Sequence, residues 1–192
     1  ILMTKEEFLL RFNLQGLVPS SHNYLHHQPL KSAAVLIGLV ETEDSGLQVL
    51  LTKRASHLRH HPSQVSFPGG KAEQEDDSLT MTALREAQEE IGLASRAVNV
   101  IGQLPPYQTI SGYQVTPIIA LVAKEQQYLM DPNEVSEIFQ VPLQHFLNSN
   151  QHQIIVASKN GRQHNVHFMP YKHYNIWGAT AAMLKDLINH IN

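Results

Sequence analysis

Hydrophobic and polar positions change rhythm several times along the chain, and each change marks an element. Phe8, Leu9 and Phe12 step at helical intervals within Thr4–Leu14, with Thr4 placed as N-cap and Glu7 placed to complete a capping box. Gly16–Pro29 reads as a loop carrying three histidines. Ser32–Val40 is nearly all apolar, as a buried strand is, and Leu47–Lys53 reads as its partner across a polar turn at Ser45-Gly46. Arg54–Gln64 is a polar, histidine-rich loop, after which Val65-Ser66-Phe67 runs as a strand end into Pro68-Gly69-Gly70. Ser78–Ile91 has helical composition, and Gly92 is a helix stop. Ala97–Leu104 and Val115–Val122 read as strands, with Pro117 assigning the second to a sheet edge. Val141–Phe146 reads as a short helix. Gln153–Ala157 and Asn165–Met169 flank Lys159-Asn160-Gly161 as a hairpin. Trp177, Ala181, Leu184, Ile188 and Ile191 step by three or four along a terminal helix, with Trp177 as its core anchor. The whole, residues 1–192, is expected to be one mixed α/β domain with few helices and several strands.

The chemistry concentrates between Gly70 and Leu93. At about 100° per residue, Glu86 and Glu90 stand one turn apart and Glu89 falls beside them. Three carboxylates therefore share an arc of roughly 100° on one helix. Like charges at that spacing destabilise a helix, more so near its C-terminus. A divalent cation with a preference for oxygen ligands, Mg²⁺ or Mn²⁺, relieves the repulsion. Arg85 lies four residues before Glu89 and can pair with it. Ala83, Leu84, Ala87 and Ile91 form the inward face, its two alanines allowing close approach to a sheet. The glycine turn before the helix lets a backbone carbonyl, that of Gly70, approach a metal.

Composition narrows the function classes. The chain has 192 residues, 14 Lys+Arg against 17 Asp+Glu, and a formal net charge of −3. No bulk electrostatic attraction to nucleic acid or an anionic membrane is expected, so an anionic ligand must be held locally. Cysteine is absent, which excludes disulfides, thiolate metal sites and thiol catalysis. Twelve histidines include His57, His60 and His61 at helical spacing, and the close pair His164 and His167. Pro62 and polar surroundings point to loop instead, and zinc is not expected. The opening Ile1–Glu7 lacks a basic stretch followed by an apolar run, so no secretory leader is expected and the cytoplasm is the expected location.

The run Arg85-Glu86-Ala87-Gln88-Glu89-Glu90-Ile91-Gly92-Leu93, with Gly70 upstream, resembles the Nudix box, G-x5-E-x7-R-E-U-x-E-E-x-G-U, where U is aliphatic. Two departures lie upstream: the first acidic position is Asp76, and one additional residue separates it from Arg85. Within that family the coenzyme A pyrophosphatases carry the same longer box with Asp. They also carry L-L-T-x-R-S-x-x-L-x-x-H-x-G-Q-V-x-F-P-G-G before it. Leu50–Gly70 is similar to that signature throughout, except for Ala55 in place of Ser and Ser63 in place of Gly. Leu104-Pro105, Thr109-x-Ser111-Gly112, Asn133-Glu134-Val135, Ile138–Leu143 and Ile176–Ala181 extend the similarity over most of the chain.

The resemblance implies an α+β fold, a Nudix-type α/β/α sandwich with a mixed central sheet. It places the core at about 30–145 and a hairpin and helix at 146–192. It implies metal-dependent hydrolysis of the diphosphate of coenzyme A and its derivatives to 3′,5′-ADP and 4′-phosphopantetheine. Glu86, Glu89 and Glu90 are the candidate ligands or base, with Gly70 beside them, Arg85 holding a carboxylate and Glu134 as a second candidate base. Arg54 is the candidate contact for the diphosphate or the 3′-phosphate, Gln64 and Phe67 line the cleft, and Tyr107, Ser111 and Tyr113 lie in a covering loop. Phe67 fits the core equally well. The partner is a small molecule, with nucleic acid and membrane excluded and a homodimer left open. Two alternatives remain: a Nudix enzyme for another nucleotide derivative, and a nucleotide-sensing module without turnover. The retained carboxylates oppose the second.

Overall fold

The computed structural model describes residues 2–20, 26, 28–159 and 161–192. The elements, in order, are α1 (Lys5–Leu14), β1 (Lys31–Thr42), β2 (Gly46–Arg54), β3 (Val65–Ser66), β4 (Gly69–Lys71), α2 (Leu79–Ile91), β5 (Val98–Gln103) and β6 (Tyr107–Gln108). They continue with β7 (Tyr113–Val122), β8 (Val135–Pro142), α3 (Leu143–Leu147), β9 (Gln153–Lys159), β10 (Arg162–Phe168) and α4 (Gly178–Ile191). β1 is the axis of an eight-stranded mixed sheet. It pairs in parallel with β7 from Lys31–Tyr113 to Val40–Val122, and antiparallel with β2 and β4. β8 pairs with β2, and β5 and β6 pair with β7, while β9 and β10 form a separate hairpin.

Strand alternation divides the core in two. Ala34, Leu36 and Val40 of β1 face α2, where they meet Ala83, Ala87 and Ile91. Ala33, Ile37 and Leu39 face the other way, toward Phe8 and Phe12 of α1, Phe146 of α3 and Leu184, Leu187 and Ile188 of α4. The result is a sheet with helices on both sides, an α+β sandwich as expected.

Several local expectations are revised. Thr4 does cap α1, accepting from the Glu7 N–H at 3.1 Å. The Glu7 carboxylate, however, accepts from Arg11 at 2.6 Å instead of closing the capping box. Pro117 is interior, because β7 lies between β1 on one side and β5 and β6 on the other. Its carbonyl accepts from Leu104 N–H, so its missing donor faces the gap where the chain leaves β5 before entering β6. The pattern over 135–142 predicts no strand, yet β8 forms there against β2. The helix expected over Val141–Phe146 starts two residues later and ends one later, as α3 (Leu143–Leu147), because Val141 and Pro142 still belong to β8. Trp177 precedes α4 as its N-cap and is 38% exposed, while Ile176 takes the buried position. The hairpin forms as expected, with Asn160 of its turn outside the described residues.

The site depends on how closely α2 lies against β1. Ala83 and Ala87 are both fully buried at that interface. Ala87→Leu should overpack it and lower stability by about 1–3 kcal/mol, read as a reduced urea midpoint at constant m-value. An unchanged midpoint would mean that the interface has slack.

Candidate active site

Ser78 starts α2, its hydroxyl accepting from Met81 N–H at 3.2 Å. Gly92 ends the helix in the left-handed conformation, φ 67°. Beneath the helix runs β4. An added methyl at Gly69 would collide with the Ala34 carbonyl and Val35, and one at Gly70 with the Glu86 carboxylate. The two glycines therefore let a strand pass between β1 and the acidic helix face.

β4 turns alternate backbone groups in opposite directions. Leu36 N–H donates to the Pro68 carbonyl and Ala72 N–H to the Ser32 carbonyl. With Ala34 opposite Gly70 in the same register, the Gly70 carbonyl belongs to the ladder with β1. Gly69 faces outward, and its N–H donates to Glu90 Oε2 at 3.3 Å. The expected role of the Gly70 carbonyl is corrected accordingly: the backbone groups turned to the carboxylates are those of Gly69. Gly70 contributes the space that Glu86 occupies.

Arg85 organises the other side. Its Nε and one terminal nitrogen donate to the two oxygens of Asp76, each at 3.0 Å. The other terminal nitrogen reaches Glu86 at 3.1 Å and Glu89 at 3.3 Å, and a further donation goes to the Lys71 carbonyl at 3.1 Å. Asp76 also accepts from the Thr82 hydroxyl at 2.9 Å and the Glu73 N–H at 3.0 Å. The longer turn with its shorter acid thus still reaches Arg85 bidentately. Thr82 lies outside the motif positions; its signal in the sequence is a polar residue on an otherwise inward helix face.

Glu90 is 3% exposed. Burial pushes its pKa from 4.5 up to about 8; Gly69 N–H opposes that, Glu86 and Glu134 add repulsion, and Arg54 offsets part of it. Burial also raises Glu86, against the pull of Arg85. Asp76 is held well below the usual carboxylate range, chiefly by its bond to Arg85. Glu134 and Arg54, far apart in sequence, thus both act on Glu90. Glu134 arrives there because Leu129 N–H donates to the Ile91 carbonyl, Asp131 N–H to the Glu90 carbonyl, and Ala55 N–H to the Glu134 carbonyl. Arg54 forms no salt bridge among the described residues.

The remaining candidates separate. Phe67 and Tyr107 are buried core residues, 2% and 4% exposed, which corrects Phe67 as a cleft residue and Tyr107 as part of a covering loop. Tyr113 begins β7 and packs half-buried against that core. Ser111 sits on the exposed turn before β7, its hydroxyl 3.0 Å from that of Thr109; among the described residues no hydrogen bond links it to the carboxylates. Gln64 accepts from Arg54 N–H through its backbone and lines a separate cleft. His57, His60 and His61 lie exposed on an irregular turn. Ser63, the departure from glycine, has φ 60°, a conformation glycine takes freely.

Residues 30–170 match the NUDIX domain family model. The chain belongs to the Nudix family. It is 41% identical over 186 residues to the Nudix hydrolase NudL of Enterobacter sp. (strain 638), covering 96% of this chain and 93% of that one. It is also 41% identical over 189 residues to NudL of Yersinia enterocolitica, covering 98% and 94%. Neither name specifies a substrate. Among solved structures, the NUDIX hydrolase of Alicyclobacillus acidocaldarius superposes with a TM-score of 0.51 at 19% identity, covering 85% of this chain and 93% of that one. That likeness is one of fold.

Glutamate oxygens and an outward-facing Gly69 are hard oxygen donors, and a buried carboxylate crowded by like charge suits Mg²⁺ or Mn²⁺. Among the described residues, no three acidic or imidazole groups already form a shell. Arg85 instead engages Glu86 and Glu89, and Glu90 faces Gly69.

The two kinds of carboxylate give opposite pH dependence. The unfolded chain releases the Glu90 proton near 4.5 and the folded one near 8, so folding binds a proton between those values and stability falls as pH rises through them. Asp76 stabilises above its ordinary value of 3.8 and loses its contribution in stronger acid. With divalent cations chelated, urea stability should therefore decline from about pH 5 to pH 8, by on the order of a few kcal/mol. Glu90→Gln should flatten most of that decline. A slope unaffected by the substitution would place the proton uptake elsewhere.

Proposed function

We propose that the chain is a divalent-cation-dependent pyrophosphohydrolase acting on coenzyme A and its thioesters. Its products are 3′,5′-ADP and 4′-phosphopantetheine or the acylated form. The observation that carries the hydrolytic reading is Glu90, a buried carboxylate beside Gly69 and Glu86 whose charge Arg54 partly offsets. The choice of coenzyme A is supported by Leu50–Gly70, which matches the subfamily signature and leads straight into the box.

Glu86, Glu89 and Glu90 would hold the cation, with the Gly69 carbonyl in place of the Gly70 carbonyl. Bound there, a cation would supply charge neutralisation on the diphosphate and acidify water. The chain's own contributions are positional and acid–base. Arg54 neutralises phosphate charge beside Glu90. Arg85 keeps Glu86 and Glu89 oriented and is itself fully occupied. Water adds to one phosphorus, the bridging P–O bond breaks with its electrons going to the leaving phosphate oxygen, and the water's proton passes to a carboxylate: Glu134, or a helix glutamate that does not itself bind the cation. We place the enzyme in the cytoplasm, acting on a small molecule without nucleic acid or membrane. A second reading, another nucleoside diphosphate derivative, has the same box in its favour. Retention of all three glutamates opposes a sensor without turnover.

A substrate panel with product identification decides between coenzyme A and other nucleotides. Glu90→Gln should lower kcat by about 10²-fold or more, and exhaustive chelation should abolish turnover. Wild-type activity persisting in chelator would overturn the mechanism. The rate at saturating Mg²⁺ should climb from pH 6 toward pH 9, because both carboxylate ligation and water deprotonation favour base. A maximum in mild acid would instead indicate an acid-dependent step.

A further inference from the structure

A cleft of about 430 Å³ is lined by the turn His61–Val65, by Lys53 and by residues of the segment 173–177. It shares no residue with the acidic box. Its lining contains no carboxylate, although the protein carries a net charge of −3. The nearest acidic group on the facing strand is Glu137, opposite Lys53 in register, and its carboxylate accepts from the Tyr174 hydroxyl. Lys53, His61 and His173 are the cationic and protonatable groups of the lining, with the Glu137 carboxylate beside Lys53. Aromatic surface contributes to the lining: Trp177 is 38% exposed, lines the cleft, and lies nearly parallel to Phe168 with ring centres 6.0 Å apart. His173 rests on Tyr174 at 4.0 Å.

Backbone strain marks the same place. Among the described residues, the non-glycine positions with left-handed φ are His61 at 52°, Ser63 at 60° and Lys172 at 53°. Two line the cleft and the third adjoins His173. Such conformations are unfavourable for residues with a side chain and gather at ligand-holding sites. The cleft is also tied to the box. Arg54 N–H donates to the Gln64 carbonyl, so β2 ends with Lys53 in the cleft and the next residue, Arg54, acting on Glu90.

We infer that this cleft is the subsite for the nucleotide end of the substrate, with the base against Trp177 and the 3′-phosphate at Lys53. The assignment rests on the coenzyme A reading for the ligand's identity and on the cleft's chemistry for its place. A flat base needs an exposed aromatic face and a phosphate monoester needs a cation; Lys53 forms no salt bridge among the described residues, and the neighbouring Glu137 carboxylate is engaged by Tyr174. Arg54 then serves the diphosphate, and the expectation that it reads the 3′-phosphate passes to Lys53.

Trp177 is the chain's single tryptophan, so its fluorescence reports on the cleft directly. Titrating the full chain with 3′,5′-ADP in chelator should change that fluorescence saturably, and 5′-AMP, which lacks the 3′-phosphate, should bind about tenfold more weakly. Lys53→Ala should remove most of this difference and reduce the kcat/KM preference for coenzyme A over dephospho-coenzyme A by a similar factor. Lys53→Arg, which keeps the charge, should restore both. No saturable change with either nucleotide, or equal affinity for the two, overturns the inference. Coenzyme A hydrolysis with a KM unaffected by Lys53→Ala and Trp177→Ala also overturns it while leaving the reaction intact. Lys53-dependent binding of 3′,5′-ADP without hydrolysis of coenzyme A supports the cleft and removes the reaction.

Discussion

Arg85 donates to Asp76, Glu86, Glu89 and the Lys71 carbonyl at once, and the geometry of the acidic helix depends on that hub. Three glutamates on one narrow arc repel one another, and a helix bearing them gains nothing locally from folding. The guanidinium offsets part of the repulsion and ties the turn before the helix to the helix itself. Asp76 saturates one edge of the fork, leaving the other for the glutamates. Because Asp76 is nearly buried and doubly bonded, the hub holds its geometry where an exposed pair would be only marginal.

The sheet supplies the second constraint. β1 is hydrophobic on both faces, and its alternate residues fill two separate cores. Helix α2 comes close because alanines occupy its contact positions, and β4 fits between because Gly69 and Gly70 have no side chains. Burial of Glu90 follows from these small residues. A larger group at any of them would lift the helix, rehydrate that carboxylate and return it toward ordinary acidity. Packing and electrostatics are thus the same question at this site: the apolar interface sets the depth that shifts the proton equilibrium.

Contrast between neighbouring carboxylates is the outcome. Asp76 is locked as an anion, Glu89 lies in solvent, Glu86 is held between burial and Arg85, and Glu90 is poised near neutrality. Chemically similar side chains thereby become distinct groups, each by a nameable cause. Strand β2 carries the division further by ending in two cations that serve different places, Arg54 near Glu90 and Lys53 in the aromatic cleft.

Whatever depends on spacing along the chain could be read without coordinates. The α2 helix with its stop at Gly92, the inward Ala83, Ala87 and Ile91, the buried β1 and the pairing of Arg85 with Glu89 all follow from periodicity and near-neighbour chemistry, although Leu84, on the same expected face, stays half-buried; the box itself is legible by its resemblance to the Nudix motif. Long-range registration could not be read that way. Pro117 looked like an edge residue because a sequence does not show that its missing donor would meet a gap between two partner strands. Phe67 could serve core or cleft until burial decided it, and Trp177 followed the helical period while standing at the helix's exposed start. The turn of Gly69 toward Glu90 depends on which of two adjacent residues pairs with Ala34, and a one-residue change of register would reverse it. Only the fold brings Glu134, Arg54 and Glu90 together, because hydrogen bonds between distant backbone segments carry no signature in local composition.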